Sequence, residues 1–292
     1  MRDDTPSWTA EAAAAMRALE SLLPEEARLF EDEFARRFLQ PVNRVLIVAS
    51  QASPGLRNAV ERMVDLKYPG APANFICRTR YIDARLNDEL DRGLDRIVVV
   101  GAGYDMRAIR LTRARTSSPR VIEIDHPATQ RRKRAIARGL VDLDLWSRTA
   151  WVSHDLSHPI DESPALRAFA GGRARAFCVA EGLLSYLPRE AVRSIFAWIA
   201  ATSVPGSRVV FTYGDRELVE GRNLINESVK KAGEGFASGW RPDEMASECR
   251  GAGLVVEEDL PQAELNERYL TPRGRRLATM QGARIATAVV PW

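Results

Sequence analysis

From Arg78 onward the chain alternates short runs rich in Val and Ile with helix-length amphipathic segments, a rhythm compatible with few architectures. Strands are expected at Arg96–Val100, Arg120–Ile124, Ala150–Ser153, Arg175–Ala180, Arg208–Tyr213, Leu254–Glu258 and Arg284–Val290. Helical patterns over Asp105–Ala114, Ala128–Arg138, Ala165–Ala170, Arg189–Ala201 and Pro242–Gly251 fill most of the gaps. Strands joined by crossover helices pair in parallel, and the helices then cover both faces of the sheet. The uninterrupted run Ile97–Val100 suits a strand buried on both sides. The expected fold is α/β, a doubly wound sheet of seven strands. Around Tyr269–Gly274 the connection between the last two strands reads as a loop, which allows an antiparallel final hairpin.

Before this alternation, residues from Thr9 to Lys67 have helical spacing, with Phe30, Phe34, Phe38 and Leu39 on one side. Pro24, Pro41 and Pro54 punctuate the helices, and Pro69-Gly70-Ala71-Pro72 ends the series. The chain thus divides into a helical cap, residues 1–75, and a sheet domain, residues 76–292. Inside the latter, Asp215–Gly239 is longer than a routine connection and carries four glycines, which suits a mobile lid over the site.

With 292 residues, 45% of them hydrophobic and 28% charged, the chain has the material for a sizeable core, which excludes a disordered protein. No apolar run approaches the roughly 20 residues that cross a bilayer, so no membrane partner is expected. Met1-Arg2-Asp3-Asp4 carries acids where a signal peptide needs positive charge. Cys77, Cys178 and Cys249 are too few and too scattered for a disulfide framework or a zinc knuckle, in keeping with a reduced, cytoplasmic setting. Of the 42 basic residues 38 are arginine, yet the net charge is only +3, so basicity is poor evidence for a nucleic-acid partner and none is expected.

The strongest local signal is Val98-Val99-Val100-Gly101-Ala102-Gly103-Tyr104-Asp105, a strand entering a glycine turn and then a helix. Glycines permit the tight turn and close approach of a ligand, and the helix start offers free N–H groups. Met106 stands where a dinucleotide fingerprint has its third glycine, so the turn alone also fits an ordinary strand-to-helix connection. The next strand ends in Asp125, placed to accept hydrogen bonds from both hydroxyls of an adenosine ribose or to cap the helix after Pro127. After the third strand, Asp155 suits an adenine amino group with Leu156 packed on the ring, or a simple Asp-initiated turn. His154 and His158 are followed by Pro159 and lack a third ligand, so no metal is expected.

Nicotinamide and S-adenosylmethionine enzymes share such turns and acids, and further motifs separate them. Arg78-Thr79-Arg80-Tyr81-Ile82-Asp83, Gly101 to Arg107 with Arg110-Leu111, Glu123-Ile124-Asp125-His126-Pro127, and Glu181-Gly182-Leu183-Leu184-Ser185-Tyr186-Leu187 follow in one order. In that order they resemble the leucine carboxyl methyltransferase family, in particular its bacterial branch of S-adenosylmethionine-dependent O-methyltransferases. The resemblance extends from the helical prefix to Arg268-Tyr269-Leu270 and Gly274-Arg275-Arg276-Leu277. It implies a class I methyltransferase Rossmann-like fold with an antiparallel last strand and an N-terminal helical cap, and S-adenosyl-L-methionine as cofactor. It also implies Arg78, or alternatively Arg80, for the cofactor carboxylate, Gly101 and Gly103 for the turn, and Asp125 for the ribose. Asp155 and Leu156 correspond to the adenine site and Glu181 to the acid beside the methionine portion. The family usually has Thr at the position of Met106 and often Met at that of Ser185.

Other polar residues have plainer readings. Arg107 and Arg110 are expected to be structural, paired with nearby acids, and Arg131-Arg132-Lys133-Arg134 with Arg138 reads as a solvated helix face. Tyr186 and Tyr213 fall near strand ends, where they either line an acceptor site or pack in the core. A carboxylate acceptor is already ionised at neutral pH and needs no general base, which suits a chain with only three histidines. The expected function is O-methylation of a small-molecule carboxylate, for example of a polyketide. A hydroxyl acceptor, or in another class an NAD-dependent oxidoreductase, is the alternative.

Overall fold

Among the described residues of the computed structural model, four α-helices precede the first strand: α1 (Trp8–Glu20), α2 (Pro41–Ala52), α3 (Pro54–Lys67) and α4 (Ala71–Asp91). Then follow β1 (Arg96–Val100), α5 (Arg107–Thr112), β2 (Arg120–Asp125), α6 (Pro127–Ala137), α7 (Leu143–Arg148) and β3 (Thr149–Ser153). The next elements are α8 (Pro164–Phe169), β4 (Ala176–Ala180), α9 (Arg189–Thr202), β5 (Arg208–Gly214), α10 (Arg216–Glu220) and α11 (Leu224–Lys231). The chain closes with α12 (Pro242–Gly251), β6 (Val255–Pro261), α13 (Gln262–Tyr269) and β7 (Ala283–Val289). The described residues are 7–115, 119–169, 172–221 and 224–292; Met1-Arg2-Asp3-Asp4, Ala170 of an expected helix and residues 222–223 of the expected lid lie outside them.

The strands lie in the order β3-β2-β1-β4-β5-β7-β6. β1 to β5 pair in parallel, and β7 runs antiparallel to both β5 and β6. All seven expected strands are present. The alternation of side chains along β1 explains its uniform burial: Val98 and Val100 join one core cluster, Ile97 and Val99 the other. On the first face α9 contributes Ala191, Val192, Ile195, Phe196 and Ile199 at helical spacing. Full burial of each larger apolar side chain stabilises by about 1.5–3 kcal/mol.

Three local expectations are corrected. The connection read as a loop contains helix α13, which buries only Gln262 and Leu265 and so has little apolar periodicity to reveal it. The aromatic row Phe30 to Leu39 is not a helix but a bend ending in a 3₁₀ turn, Ala35–Phe38. There the Asp32 carboxylate accepts from the N–H groups of Phe34 and Ala35, each at 3.1 Å. Lys133 is no part of a solvated face: Arg131, Arg134 and Arg138 are exposed, but Lys133 shares the inner side of α6 with Gln130 and Ala137 and is fully buried.

Strand order reverses between β1 and β4, so the connections leaving their carboxyl ends run to opposite sides and leave a crevice. No helix among the described residues is long and apolar enough to cross a membrane.

Candidate functional site

A cavity of about 510 Å³ opens at this crevice. Of the residues singled out from sequence, Arg78, Gly101, Gly103, Asp125, Asp155, Leu156, Glu181, Tyr186 and Tyr213 all line it, and Arg80 does not. Arg80 follows Arg78 by two residues on α4, which turns it to another face, where its charge bears on Tyr269.

The glycine turn is built as its sequence requires. Gly101 and Gly103 have φ of 68° and 46°, and a Cβ on Gly101 would stand 2.8 Å from the Leu183 side chain. The Gly101 and Ala102 N–H groups donate to the Ile124 carbonyl at 2.9 and 3.0 Å, fastening the turn to β2. Asp125, at the end of β2, accepts from the Gly103 N–H with one carboxylate oxygen and from its neighbour His126 N–H, at 2.6 Å, with the other. Burial raises its carboxyl above the ordinary range, against the pull of those two donors. Each oxygen keeps a further lone pair for a ligand. Asp155 initiates a tight turn, accepting from the Ser157 N–H at 3.0 Å and hydroxyl at 2.8 Å. Burial opposes its ionisation, but the Ser157 donors outweigh it and lower its pKa.

A buried charge chain underlies the other side of the turn. Arg78 on α4 lies over the Phe75 ring and donates from Nε to Glu181 Oε1 at 2.7 Å and from Nη1 to Asn74 at 2.9 Å. The second oxygen of Glu181 accepts from Arg107, whose Nε lies 2.8 Å from Asp105 and 3.8 Å from Asp83. Arg110 closes the chain on Asp83 at 2.6 Å. Arg107 and Arg110 therefore pair with acids as expected. Burial opposes ionisation of Glu181, yet the Arg107 and Arg78 guanidiniums more than compensate and hold its carboxyl below the ordinary range.

At the far end the wall is apolar, with Val64, Phe75, Ile225, Val229 and Phe236 among its residues. The Tyr186 ring stands 4.9 Å from that of Phe236. Tyr213 donates its hydroxyl to Asp259 at 2.6 Å, and Arg284 donates to the other Asp259 oxygen at 2.9 Å. Burial, reinforced by Asp259, raises the Tyr213 phenol far above its ordinary pKa, and burial followed by the charge of Glu234 does the same to Tyr186.

Sequence reasoning missed how this end is closed. Glu234 accepts from the Trp8 N–H at 2.9 Å, the Thr9 N–H at 3.2 Å and the Thr9 hydroxyl at 2.6 Å, bridging the segment after α11 to the start of α1. The Ala237 and Ser238 N–H groups donate to the Ser185 carbonyl at 2.7 and 3.2 Å. Ser7, which caps α1, was a readable signal; its acidic partner more than two hundred residues away was not.

Comparison with known proteins bears on the family and the fold. The model of the leucine carboxyl methyltransferase family matches residues 10–200. A Streptomyces coelicolor protein named as a candidate S-adenosyl-L-methionine-dependent methyltransferase is 32% identical over 214 residues, covering 73% of this chain and 70% of its own. A Bacillus subtilis protein named in the same way is 27% identical over 213 residues, covering 70% of this chain and 69% of its own. Among solved structures, a DUF574 family protein from Streptomyces avermitilis superposes with a TM-score of 0.58 at 14% identity, covering 95% of this chain and 97% of that one, a likeness of fold.

Proposed function

This chain belongs to the leucine carboxyl methyltransferase family, and from that premise we propose that it methylates a carboxylate oxygen of a small, largely apolar metabolite. It is an S-adenosylmethionine-dependent methyltransferase. The cofactor supplies a methyl group on a sulfonium for in-line transfer to the acceptor. The cleft residues suit it: Arg78 would hold its carboxylate, Glu181 would lie beside its ammonium, Asp125 would accept from its ribose hydroxyls, and Asp155 with Leu156 would flank its adenine.

The observation that carries the carboxylate reading is the state of the titratable groups at the acceptor end. Tyr213 has committed its proton to Asp259, burial keeps Tyr186 neutral, and Glu234 is occupied by the start of α1. His126 lines the cavity at the Asp125 end, where its Nδ1 accepts from the Ala128 N–H at 3.3 Å. Neither phenol is therefore set up to take a proton from a phenol or alcohol acceptor, and an ionised carboxylate acceptor has none to give up. Positioning and exclusion of water then supply the catalysis. Arg284 adds a guanidinium to the cavity wall, and the apolar side chains around it suit a hydrophobic acid such as a polyketide acid. The test is transfer of a labelled methyl group to a panel of hydrophobic carboxylic acids and their matched alcohols and phenols. Base-labile esters are expected from the acids; labelling confined to the alcohols or phenols overturns the carboxylate assignment.

The 215–239 segment acts in this reading as the lid that keeps water out, fastened by Glu234. Loss of a helix-capping acceptor costs about 0.5–2 kcal/mol, so Glu234→Gln is expected to release S-adenosylhomocysteine severalfold faster in stopped-flow measurements. An unchanged release rate would separate the lid from cofactor exit.

A further inference from the structure

We infer that Lys133 is a positioning residue for the cofactor site, its ammonium gripping the glycine turn by its carbonyls so that the Gly103 N–H stays aimed at Asp125. The inference rests on the cofactor placement proposed above and concerns what holds that placement in shape.

Of the four lysines, Lys133 is fully buried, whereas Lys67, Lys230 and Lys231 are exposed. An ammonium has three donors and is costly to bury unless all find partners. Here the charge is paired and two carbonyls receive its donors: Nζ lies 2.6 Å from Glu123 Oε2 in an ion pair, donates to the Asp105 carbonyl, and reaches the Ala102 carbonyl at 3.4 Å. Glu123 is also fully buried, on β2 two residues before Asp125. Burial raises its carboxyl to about 7, against the pull of Lys133. One turn earlier on α6, Gln130 donates to the carbonyls of Glu123 at 2.9 Å and Val152 at 3.3 Å, so the helix that delivers Lys133 is itself tied to β2 and β3.

The link to the site is the planarity of the peptide group. The Ala102 carbonyl and the Gly103 N–H belong to one rigid unit, so drawing the oxygen toward Lys133 directs the N–H the opposite way. That N–H donates to the Asp125 carboxylate. Lys133 does not line the cavity, whereas Ala102, Gly103, Asp105 and Asp125 do, so the ammonium acts from behind the turn.

The experiment compares the full chain with Glu123→Gln and with the double variant Glu123→Gln/Lys133→Met, in which no buried charge is left unpaired. S-adenosylhomocysteine affinity is measured by calorimetry, and amide hydrogen exchange of residues 101–106 in the ligand-free protein. Glu123→Gln is expected to bind within about fivefold of the parent, and the double variant at least about fivefold more weakly than Glu123→Gln, with faster exchange in the turn. A double variant that binds as well as Glu123→Gln, with unchanged exchange, overturns the inference. Should the double variant not fold, Glu123→Gln decides: retained affinity and turn protection support the carbonyl contacts, and their loss shows that charge balance alone was at work. A parent that fails to bind S-adenosylhomocysteine would instead refute the cofactor placement, while the ligand-free exchange rates still read the Lys133 contact.

Discussion

Arg107→Met is expected to lower folding stability by about 3–5 kcal/mol, the cost of removing one partner from a buried ion pair. Its guanidinium is 1% exposed and lies among Asp83, Asp105 and Glu181. Without it those acids lose the cation they share, and Arg78, Arg110, Arg17 and Lys133 are left to balance them. The pH dependence identifies the cause. Burial opposes ionisation of Asp105 and Glu181, but Arg107 more than offsets it, so both are held below their ordinary pKa in the folded protein. Carboxyls so depressed contribute stability above their unfolded pKa and lose it as pH falls. In Arg107→Met burial is no longer offset and both carboxyls should protonate above their unfolded values, so the deficit against the parent should be largest at neutral pH, shrink toward about pH 4 as the variant takes up protons, and shrink further below that as the parent loses its own contribution. Urea unfolding at two pH values measures this. An equal deficit at both would point to lost packing rather than charge.

Asp125→Ala is expected to weaken S-adenosylhomocysteine binding by about 1–3 kcal/mol, roughly five- to 150-fold, because ligand hydroxyls lose a buried acceptor and the Gly103 N–H loses its partner. An analogue without the ribose hydroxyls separates these two contributions. It should bind the parent poorly and lose little further on the variant. If both ligands lose equally, Asp125 supports the turn and does not read the sugar.

The glycine turn and the five parallel strands were legible because their causes are local. A β-branched run buried on both faces, and backbone at positive φ that disfavours a side chain, leave marks in adjacent residues. Asp125 and Glu181 were legible for a related reason: each is placed by the end of its own strand. Helix α13 was not, because it buries too little apolar surface to show a period.

The choice between Arg78 and Arg80 depended on which face of α4 meets the crevice, a matter of packing that neither residue's neighbours encode. The same holds for Lys133, one basic residue in a run of four, whose burial follows from which face of α6 packs inward. Glu234 on the start of α1, Asp259 between Tyr213 and Arg284, and Glu181 between Arg78 and Arg107 join residues remote in the chain. Composition and periodicity report what a segment prefers alone, and thereby settle its conformation and apolar side. Which charge meets which is settled by the removal of water as segments close on one another, since a buried ion must find its counterpart wherever in the chain that lies.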